Sequence, residues 1–230
     1  EGIGHVAEPL FITKAPELIN IDEERVVIEN HLRQRGYTAA EVQAPMPGRY
    51  RVWYGHVEAP IVSIVIPTRN QLSMVQRCVE SILEKTRYQN YEILIVDNDS
   101  DEKEAVRWLN GIERIGGDKV RVLRYPHPFN FSAMNNFAAS QSVGDYLLLL
   151  NNDTAVIDEH WLDAMLNHGQ RPEVGVVGAK LLFPNGTIQH AGVILGLNGP
   201  AEHQFVGTAM DAPDYMQRLQ VDQNYSAVTA

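Results

Sequence analysis

Residues 61–101 read IVSIVIPTRNQLSMVQRCVESILEKTRYQNYEILIVDNDSD, and this stretch decides the fold class. It begins with a short β-branched run at 62–66, typical of a strand buried on both faces, which we expect to stop at Pro67. Apolar residues at helical spacing follow within 71–86, and a second apolar run covers 92–96. The stretch therefore predicts a strand, a helix and a second strand, joined by a right-handed crossover.

The same alternation continues downstream. We expect further strands at 120–124, 145–150 and 174–179, and further helices at 103–115, 132–142 and 159–168. Strands that alternate with helices of this length favour parallel pairing, with helices covering the faces of the sheet. The predicted fold class is α/β, with an open, mostly parallel, Rossmann-like sheet flanked by helices.

The sequence changes character on the amino-terminal side of this pattern. Residues 21–35 have the periodicity of a helix closed by Gly36, and a short strand is expected at 50–54. We therefore predict a small helical and extended prefix at 1–58, followed by the main domain at 59–230.

The alternation also stops after Lys180. Residues 181–188 predict a hairpin that turns at Asn185-Gly186. The segment 207–223 has weak periodicity and several polar residues, so we expect a mobile loop there.

Composition excludes several classes of protein. The net charge is −10 and no Lys/Arg-rich run is present, so nucleic acid is not an expected partner. The one cysteine, Cys78, excludes an internal disulfide and is expected to be buried. No apolar run is long enough to span a membrane and no signal peptide is recognisable, so we expect a cytoplasmic protein. Because the chain starts at Glu1 and ends within a strand-like pattern at Ala230, we expect it to be a fragment of a longer polypeptide.

Polar residues cluster where the predicted strands end. Clusters follow the strands at 67–70, 97–101, 127–132 and 151–154. Ligands of open parallel sheets bind at the carboxyl ends of the strands. Asp, Asn and Ser are also the residues that loops and helix caps prefer, so one cluster alone would decide nothing. Acidic clusters after two separate strands favour a bound ligand or cation, because carboxylates on one edge repel each other.

A nucleoside-diphosphate ligand would account for these carboxylates. A divalent metal ion can neutralise the charge that builds on a departing diphosphate, and Asp153 is the best-placed ligand for it. Mg²⁺ or Mn²⁺ would fill the remaining positions with phosphate oxygens and water. Asp97 and Asp99 could accept hydrogen bonds from a base N–H and from ribose hydroxyls.

Five segments together resemble the family 2 glycosyltransferases with an A-type fold, especially bacterial enzymes of O-antigen and other surface-polysaccharide assembly. The segments are VSIVIPTRN, EILIVDNDS, NFSAMNNFAA, YLLLLNNDT and VGVVGAKLLFPNGTIQHAGV. The resemblance implies a nucleoside-diphosphate sugar as donor, a glycan or lipid-linked glycan as acceptor, and inversion at the anomeric carbon.

The resemblance also implies roles for individual residues. The implied nucleotide-binding residues are Pro67, Thr68, Asn70, Asp97, Asp99, Asn135, Asn136 and Asn152. Asn151-Asn152-Asp153 stands in the place of the Asp-x-Asp metal motif, so Asn151 and Asp153 are the implied metal ligands. Because an amide is a weaker ligand than a carboxylate, Asn151 departs from the two-carboxylate form and leaves Asp153 with most of the metal binding.

Two further implications concern the acceptor side. His190 and His203 fall in the segment that would approach the donor sugar and the acceptor, although a structural or surface histidine is an equally good interpretation. The general base is expected downstream of Ala230, so the chain is predicted to bind donor and metal and to transfer little sugar.

Two rival interpretations come from other classes. A sugar nucleotidyltransferase, like a dinucleotide-dependent oxidoreductase, needs a glycine-rich loop after the first strand, and residues 67–71 contain no glycine. A non-catalytic nucleotide- or carbohydrate-binding module that kept the fold stays open. Nucleotide binding and sugar transfer are the measurements that separate these classes.

Overall fold

The chain folds into two compact units in the computed structural model, which describes residues 20–46, 48–196, 199–213 and 215–229. The smaller unit contains the described residues up to Gly55 and the short segment Gln220–Asp222. The larger unit contains His56–Leu219 and the described residues that follow Asp222.

The smaller unit consists of a helix and a hairpin. Helix α1 (Ile21–Gln34) begins after Asn20, whose side-chain oxygen accepts hydrogen bonds from two backbone N–H groups of the first turn. As predicted, Gly36 follows the helix in the left-handed region, at φ 94°. Strands β1 (Glu41–Met46) and β2 (Arg49–Trp53) pair in antiparallel orientation. We did not predict β1, because its Pro45 is typical of loops and of two-stranded edges alike.

A four-stranded parallel sheet forms the centre of the larger unit. Its strands are β3 (Val62–Thr68), β4 (Tyr91–Asp97), β5 (Val120–Arg124) and β6 (Tyr146–Leu149), in the spatial order β5-β4-β3-β6. The predicted α/β class is confirmed. Strand β3 runs two residues further than predicted, through Pro67. This is tolerated because β6 pairs with β3 only as far as Val65, so the missing N–H interrupts no ladder on that side.

Helices cover both faces of the sheet. Helices α2 (Leu72–Lys85), α3 (Lys103–Gly116) and α5 (Trp161–Gly169) pack on one face, where their apolar residues meet side chains such as Ile64 and Ile93. Helix α4 (Phe131–Ala139) packs on the opposite face, against Val65 and Leu94. Alternate residues of β3 and of β4 therefore enter different halves of the core, as the β-pleat requires.

A buried polar network lies near the amino ends of the strands. Glu92 on β4 is 5% exposed, and its carboxylate accepts hydrogen bonds from Ser63 Oγ at 2.6 Å, Val143 N at 2.8 Å and Arg121 at 3.1 Å. Burial alone would raise the pKa of Glu92, but these three hydrogen bonds outweigh it and hold the pKa below its usual value. The network fixes the connection that leads into β6.

Short elements follow the sheet. They are β7 (Leu181–Leu182), β8 (Ile188–His190), β9 (Val193–Leu195), β10 (Ala201–His203) and a 3₁₀ helix at Tyr215–Gln220. Strands β7 and β8 form the predicted hairpin, with Gly186 at φ 82° in its turn. The strand predicted at 174–179 is wrong, because these residues have no strand pairing and Val176 is 76% exposed. The segment expected to be a loop at 207–223 contains the 3₁₀ helix.

None of the helices in the described residues is both long and apolar enough to cross a bilayer.

Candidate functional site

The carboxyl ends of the four parallel strands meet at one edge of the sheet. We call the segments that follow β3, β4, β5 and β6 the carboxyl rim. Thr68, the last residue of β3, pairs in register with Asp97, the last residue of β4. The Thr68 carbonyl accepts a hydrogen bond from Asn98 N at 2.8 Å, and its hydroxyl accepts one from Asn152 Nδ2 at 3.0 Å. The structure thus brings together the predicted residues Thr68, Asp97 and Asn152.

Both polar atoms of the Asn70 side-chain amide form hydrogen bonds within the protein. Its Oδ1 accepts hydrogen bonds from the backbone N–H groups of Asp101 and Glu102, at 3.0 and 3.1 Å, and its Nδ2 donates to Asp101 at 2.9 Å. The hydrogen bond from Asn70 lowers the pKa of Asp101. Asn70 and Gln71 are both left-handed, which an asparagine tolerates better than most residues. Asn70 therefore ties the turn after β3 to the turn after β4.

Asp97 is also held within the protein. It is 3% exposed, and one carboxylate oxygen accepts a hydrogen bond from Ser100 N at 3.1 Å. The other oxygen pairs with the guanidinium of Arg124, at the end of β5. Arg124 also donates to Asn110 on α3, at 2.6 Å. We did not predict Arg124 as part of the site, because nothing local in the sequence indicates that its side chain meets Asp97.

Asn98 is a candidate ligand residue that the sequence reasoning missed. Its side chain is 1% exposed, and its Nδ2 donates to the carbonyls of Tyr125 at 3.1 Å and His127 at 2.7 Å. Two carbonyl partners fix which end of the amide is nitrogen. Its Oδ1 is then left buried without a hydrogen-bond partner among the described residues. Asn98 stands between two aspartates in the sequence, and that position is the one available signal.

Asn135 on α4 has the same property. It is 7% exposed, and its Nδ2 donates to the carbonyl of Phe131 at 2.8 Å, one turn earlier in the helix. Its Oδ1 is buried and unpaired within the described part of the chain. The neighbouring Asn136 is exposed, so the two predicted asparagines face different surroundings.

The remaining predicted nucleotide residues are placed differently. Pro67 is half-buried within β3, paired in register with Val96. Asp99 is exposed and adopts a left-handed conformation, with φ 59°. Its carboxylate is therefore accessible, in contrast to that of Asp97.

The Asn-Asn-Asp segment lies just beyond the end of β6. Asn151 and Asn152 are half-buried, while Asp153 is exposed. Within the described residues, no group of three or more His, Cys, Asp or Glu side chains is arranged to hold a metal ion. One free carboxylate beside an amide instead fits a Mg²⁺ or Mn²⁺ ion that takes most of its ligands from phosphate and water.

His190 lies in a separate cluster. It is 2% exposed; its Nδ1 lies 3.0 Å from Nδ1 of His203, and its Nε2 accepts a hydrogen bond from Thr229 N at 3.3 Å. Burial and the neighbouring His203 lower the pKa of His190, which favours the neutral ring. Within the described residues its hydrogen-bond partners are thus His203 and Thr229, and His203 itself is exposed.

The match to a family model decides the affiliation. Residues 63–197, more than half of the chain, match the model described as Glycosyl transferase family 2. The chain belongs to this family. The predicted resemblance is confirmed, and this family 2 glycosyltransferase has the parallel sheet and flanking helices expected of the A-type fold.

Two sequence relatives cover most of this family 2 chain. The uncharacterized protein y4gI of Sinorhizobium fredii is 47% identical over 208 residues, which are 90% of this chain and 23% of that protein. The O-antigen biosynthesis protein RfbC of Myxococcus xanthus is 41% identical over 213 residues, covering 88% of this chain and 16% of that protein. The family 2 chain therefore spans less than a quarter of the length of either relative.

A solved structure aligns more weakly with the family 2 chain. It is the mannosyltransferase PcManGT of Pyrobaculum calidifontis, in complex with GDP-Man and Mn²⁺. The TM-score is 0.49 at 15% identity, over 71% of this chain and 45% of that one. At this score the likeness adds nothing to what the family match shows.

Proposed function

We propose that this family 2 glycosyltransferase binds a nucleoside-diphosphate sugar and a divalent metal ion at the carboxyl rim and transfers the sugar, with inversion, to a glycan acceptor. The observation that carries the proposal is that two of the three buried, unpaired side-chain oxygens in the described residues, those of Asn98 and Asn135, belong to the carboxyl rim; the third is Oε1 of Gln204. A buried acceptor without a donor costs about 1–3 kcal/mol. A base N–H or a ribose hydroxyl would supply the missing donor.

The roles at the rim are proposed as follows. Asn98, Asn135 and the accessible Asp99 accept hydrogen bonds from the nucleoside. Asp97, Asn70 and Thr68 hold the turns that present those residues, because their polar atoms are bonded within the protein. Pro67, Asn136 and Asn152 complete the predicted lining.

The metal would be held by Asp153, with Asn151 as a weaker second ligand. When bound, Mg²⁺ or Mn²⁺ neutralises the charge of the departing diphosphate. The chain supplies one accessible carboxylate for this, at the end of β6.

The acceptor, the cell compartment and the domain limits stay predictions. A role in surface-polysaccharide assembly is supported by the identity to the Myxococcus xanthus protein over most of this chain. A cytoplasmic location and a transferase domain at 59–230 rest on the sequence alone.

Calorimetric titration of the chain with UDP, dTDP, GDP and ADP tests the proposal, with Mn²⁺ and with EDTA in parallel. We expect at least one nucleoside diphosphate to bind, and to bind more tightly with Mn²⁺. Asn135→Leu should weaken binding about tenfold, because the buried acceptor is lost. The matched control is Asn90→Ala, since Asn90 precedes β4 at the opposite edge of the sheet and donates to Ala59 O. The proposal fails if none of the four nucleotides binds.

The non-catalytic binding module is the second candidate. It shares the predicted nucleotide binding and differs in turnover. Release of nucleoside diphosphate from a donor sugar that depends on an added acceptor identifies a transferase, and binding without such release identifies a module.

A further inference from the structure

The loop that carries Asp153 is held by one face of helix α2. Residues 151–156 have no regular secondary structure, so their backbone groups need partners outside the loop. Four side chains of α2 supply them. These are Arg77, Cys78, Ser81 and Lys85, whose spacing places them along one side of the helix.

Each contact involves a different backbone atom of the loop. Arg77 donates to the carbonyl of Asp153 at 3.1 Å, and the Cys78 thiol donates to the carbonyl of Asn151 at 3.8 Å. Ser81 Oγ accepts from Val156 N at 3.0 Å, and Lys85 donates to the carbonyl of Val156 at 2.9 Å. The loop is therefore fixed at both of its ends and at the metal-binding residue itself.

The Arg77 contact differs from the other three because it reaches Asp153. It engages the carbonyl and leaves the carboxylate alone, since no hydrogen bond or ion pair in the described residues involves the Asp153 side chain. An exposed aspartate on an unrestrained loop would sample many positions. Fixing its carbonyl narrows the positions of its carboxylate and so lowers the entropy lost on binding a metal ion.

We infer that Arg77 is a positioning residue for metal binding, which holds the Asp153 backbone so that its carboxylate meets a metal ion bound to a nucleoside diphosphate. This inference rests on the proposed function. Arg77 is exposed and contributes no side chain to the core, so a contribution to metal binding can be separated from a contribution to folding.

The test is the Mn²⁺ concentration that gives half-maximal nucleotide binding, measured by calorimetry with the nucleotide that the wild-type chain prefers. Residues that orient metal ligands affect metal affinity by about 10–100-fold, and a contact to the backbone should lie at the lower end. For Arg77→Met we expect the half-maximal Mn²⁺ concentration to rise about tenfold, with nucleotide affinity in EDTA unchanged. Arg77→Lys should give a smaller rise, because lysine keeps one donor and the charge.

The matched control is Arg107→Met. Arg107 is an exposed arginine on α3, and in the described residues it makes no hydrogen bond or ion pair. This variant should keep the wild-type Mn²⁺ dependence. Thermal unfolding of each variant checks that it is folded, and Arg77→Gln replaces Arg77→Met if the methionine variant is not.

The outcomes separate this inference from the proposed function. If the wild-type chain binds no nucleoside diphosphate, the proposed function fails. If Asp153→Ala removes the Mn²⁺ dependence while Arg77→Met and Arg77→Gln retain it, only the inference about Arg77 is overturned. Equal weakening in Mn²⁺ and in EDTA would also overturn it, because that result indicates a general structural role.

Discussion

Asp97 is the last residue of β4 and Asp153 lies just beyond β6, yet the surroundings of the two carboxylates differ. The Asp97 carboxylate is buried and paired with Arg124 and Ser100 N, whereas the Asp153 carboxylate is exposed. A buried carboxylate with both oxygens bonded organises the structure around it. An exposed one can bind a cation.

This contrast predicts different effects of two substitutions. Asp153→Ala should weaken nucleotide binding in Mn²⁺ far more than in EDTA, because the side chain acts through the ion. Asp97→Asn should weaken binding equally in both and should lower the free energy of unfolding by about 1.5–3 kcal/mol, since a charge-assisted hydrogen bond is lost. Calorimetry and urea denaturation measure the two effects. The same Mn²⁺ dependence in both variants would contradict the assigned roles.

Glu92 predicts a pH dependence of stability. Its pKa is lowered in the folded chain, so the folded state favours the ionised carboxylate. The stabilisation is complete above the unfolded pKa of about 4.3 and is lost as the pH falls through the lower folded pKa. Glu92→Gln should lower the free energy of unfolding by about 1–3 kcal/mol at pH 7. It should also make the free energy of unfolding decline less steeply below about pH 4.3. Urea denaturation between pH 3 and pH 7 measures this, and parallel wild-type and variant curves would refute it.

At the scale of elements, α2 combines two functions. Its apolar face packs on the sheet through residues such as Val75 and Val79, and an adjacent face holds the loop after β6. The periodicity of the apolar face is visible in the sequence. The loop-holding face is not, because its polar residues look like those of any solvated helix surface.

Ser81 tests the loop-holding face. Its hydroxyl accepts from Val156 N and donates to the carbonyl of Cys78 at 2.8 Å. Ser81→Ala leaves the N–H of the buried Val156 without a partner. We therefore expect the free energy of unfolding, measured by urea denaturation, to fall by about 1–2 kcal/mol. Ser73→Ala is the control, since Ser73 is exposed on the same helix and should change stability by less than about 0.5 kcal/mol. Equal stability of the two variants would count against the role of Ser81.

Elements could be predicted from the sequence where the deciding pattern is local. The helices over 71–86 and 103–115 and the strands at 62–66 and 92–96 have a periodicity contained within each element. The run at 174–179 has a strand-like composition, but a strand also needs a partner, and composition does not specify one. We did not predict strand β1 because composition does not specify its partner either. Its pairing with β2 outweighs the unfavourable effect of its proline on strand formation.

The site was predictable in part. The carboxyl ends of parallel strands meet at one edge, so Thr68, Asp97 and Asn152 could be grouped from the sequence alone. The partners of Asp97 and of Asn98 could not, because Arg124, Tyr125 and His127 lie far along the chain and meet them only in the folded sheet. Burial of one amide and exposure of its neighbour, as at Asn135 and Asn136, is likewise a tertiary property.

At the scale of the whole molecule, ligand binding should stabilise the fold. A nucleotide that is present at 100 times its Kd and is bound only by the folded state raises the free energy of unfolding by about 2.7 kcal/mol. We expect the preferred nucleoside diphosphate with Mn²⁺ to raise the thermal unfolding midpoint of the wild-type chain. In the Asp153→Ala variant, nucleotide should shift the thermal unfolding midpoint by the same amount with Mn²⁺ and with EDTA. Calorimetric scans test this, and a wild-type midpoint that ignores saturating nucleotide would argue against binding at the carboxyl rim.

The strand order β5-β4-β3-β6 has a consequence for the emergence of the chain from the ribosome. Ser63 and Glu92 are 29 residues apart, so the central pair of strands can form early, whereas Thr68 waits for Asn152, 84 residues later. The part of the rim that we propose for the nucleoside can thus take shape while the residues proposed to hold the metal are still untranslated. Until β6 is synthesised, one edge of β3 has no partner strand. This unpaired edge can form β-pairs with other nascent chains on the same messenger RNA.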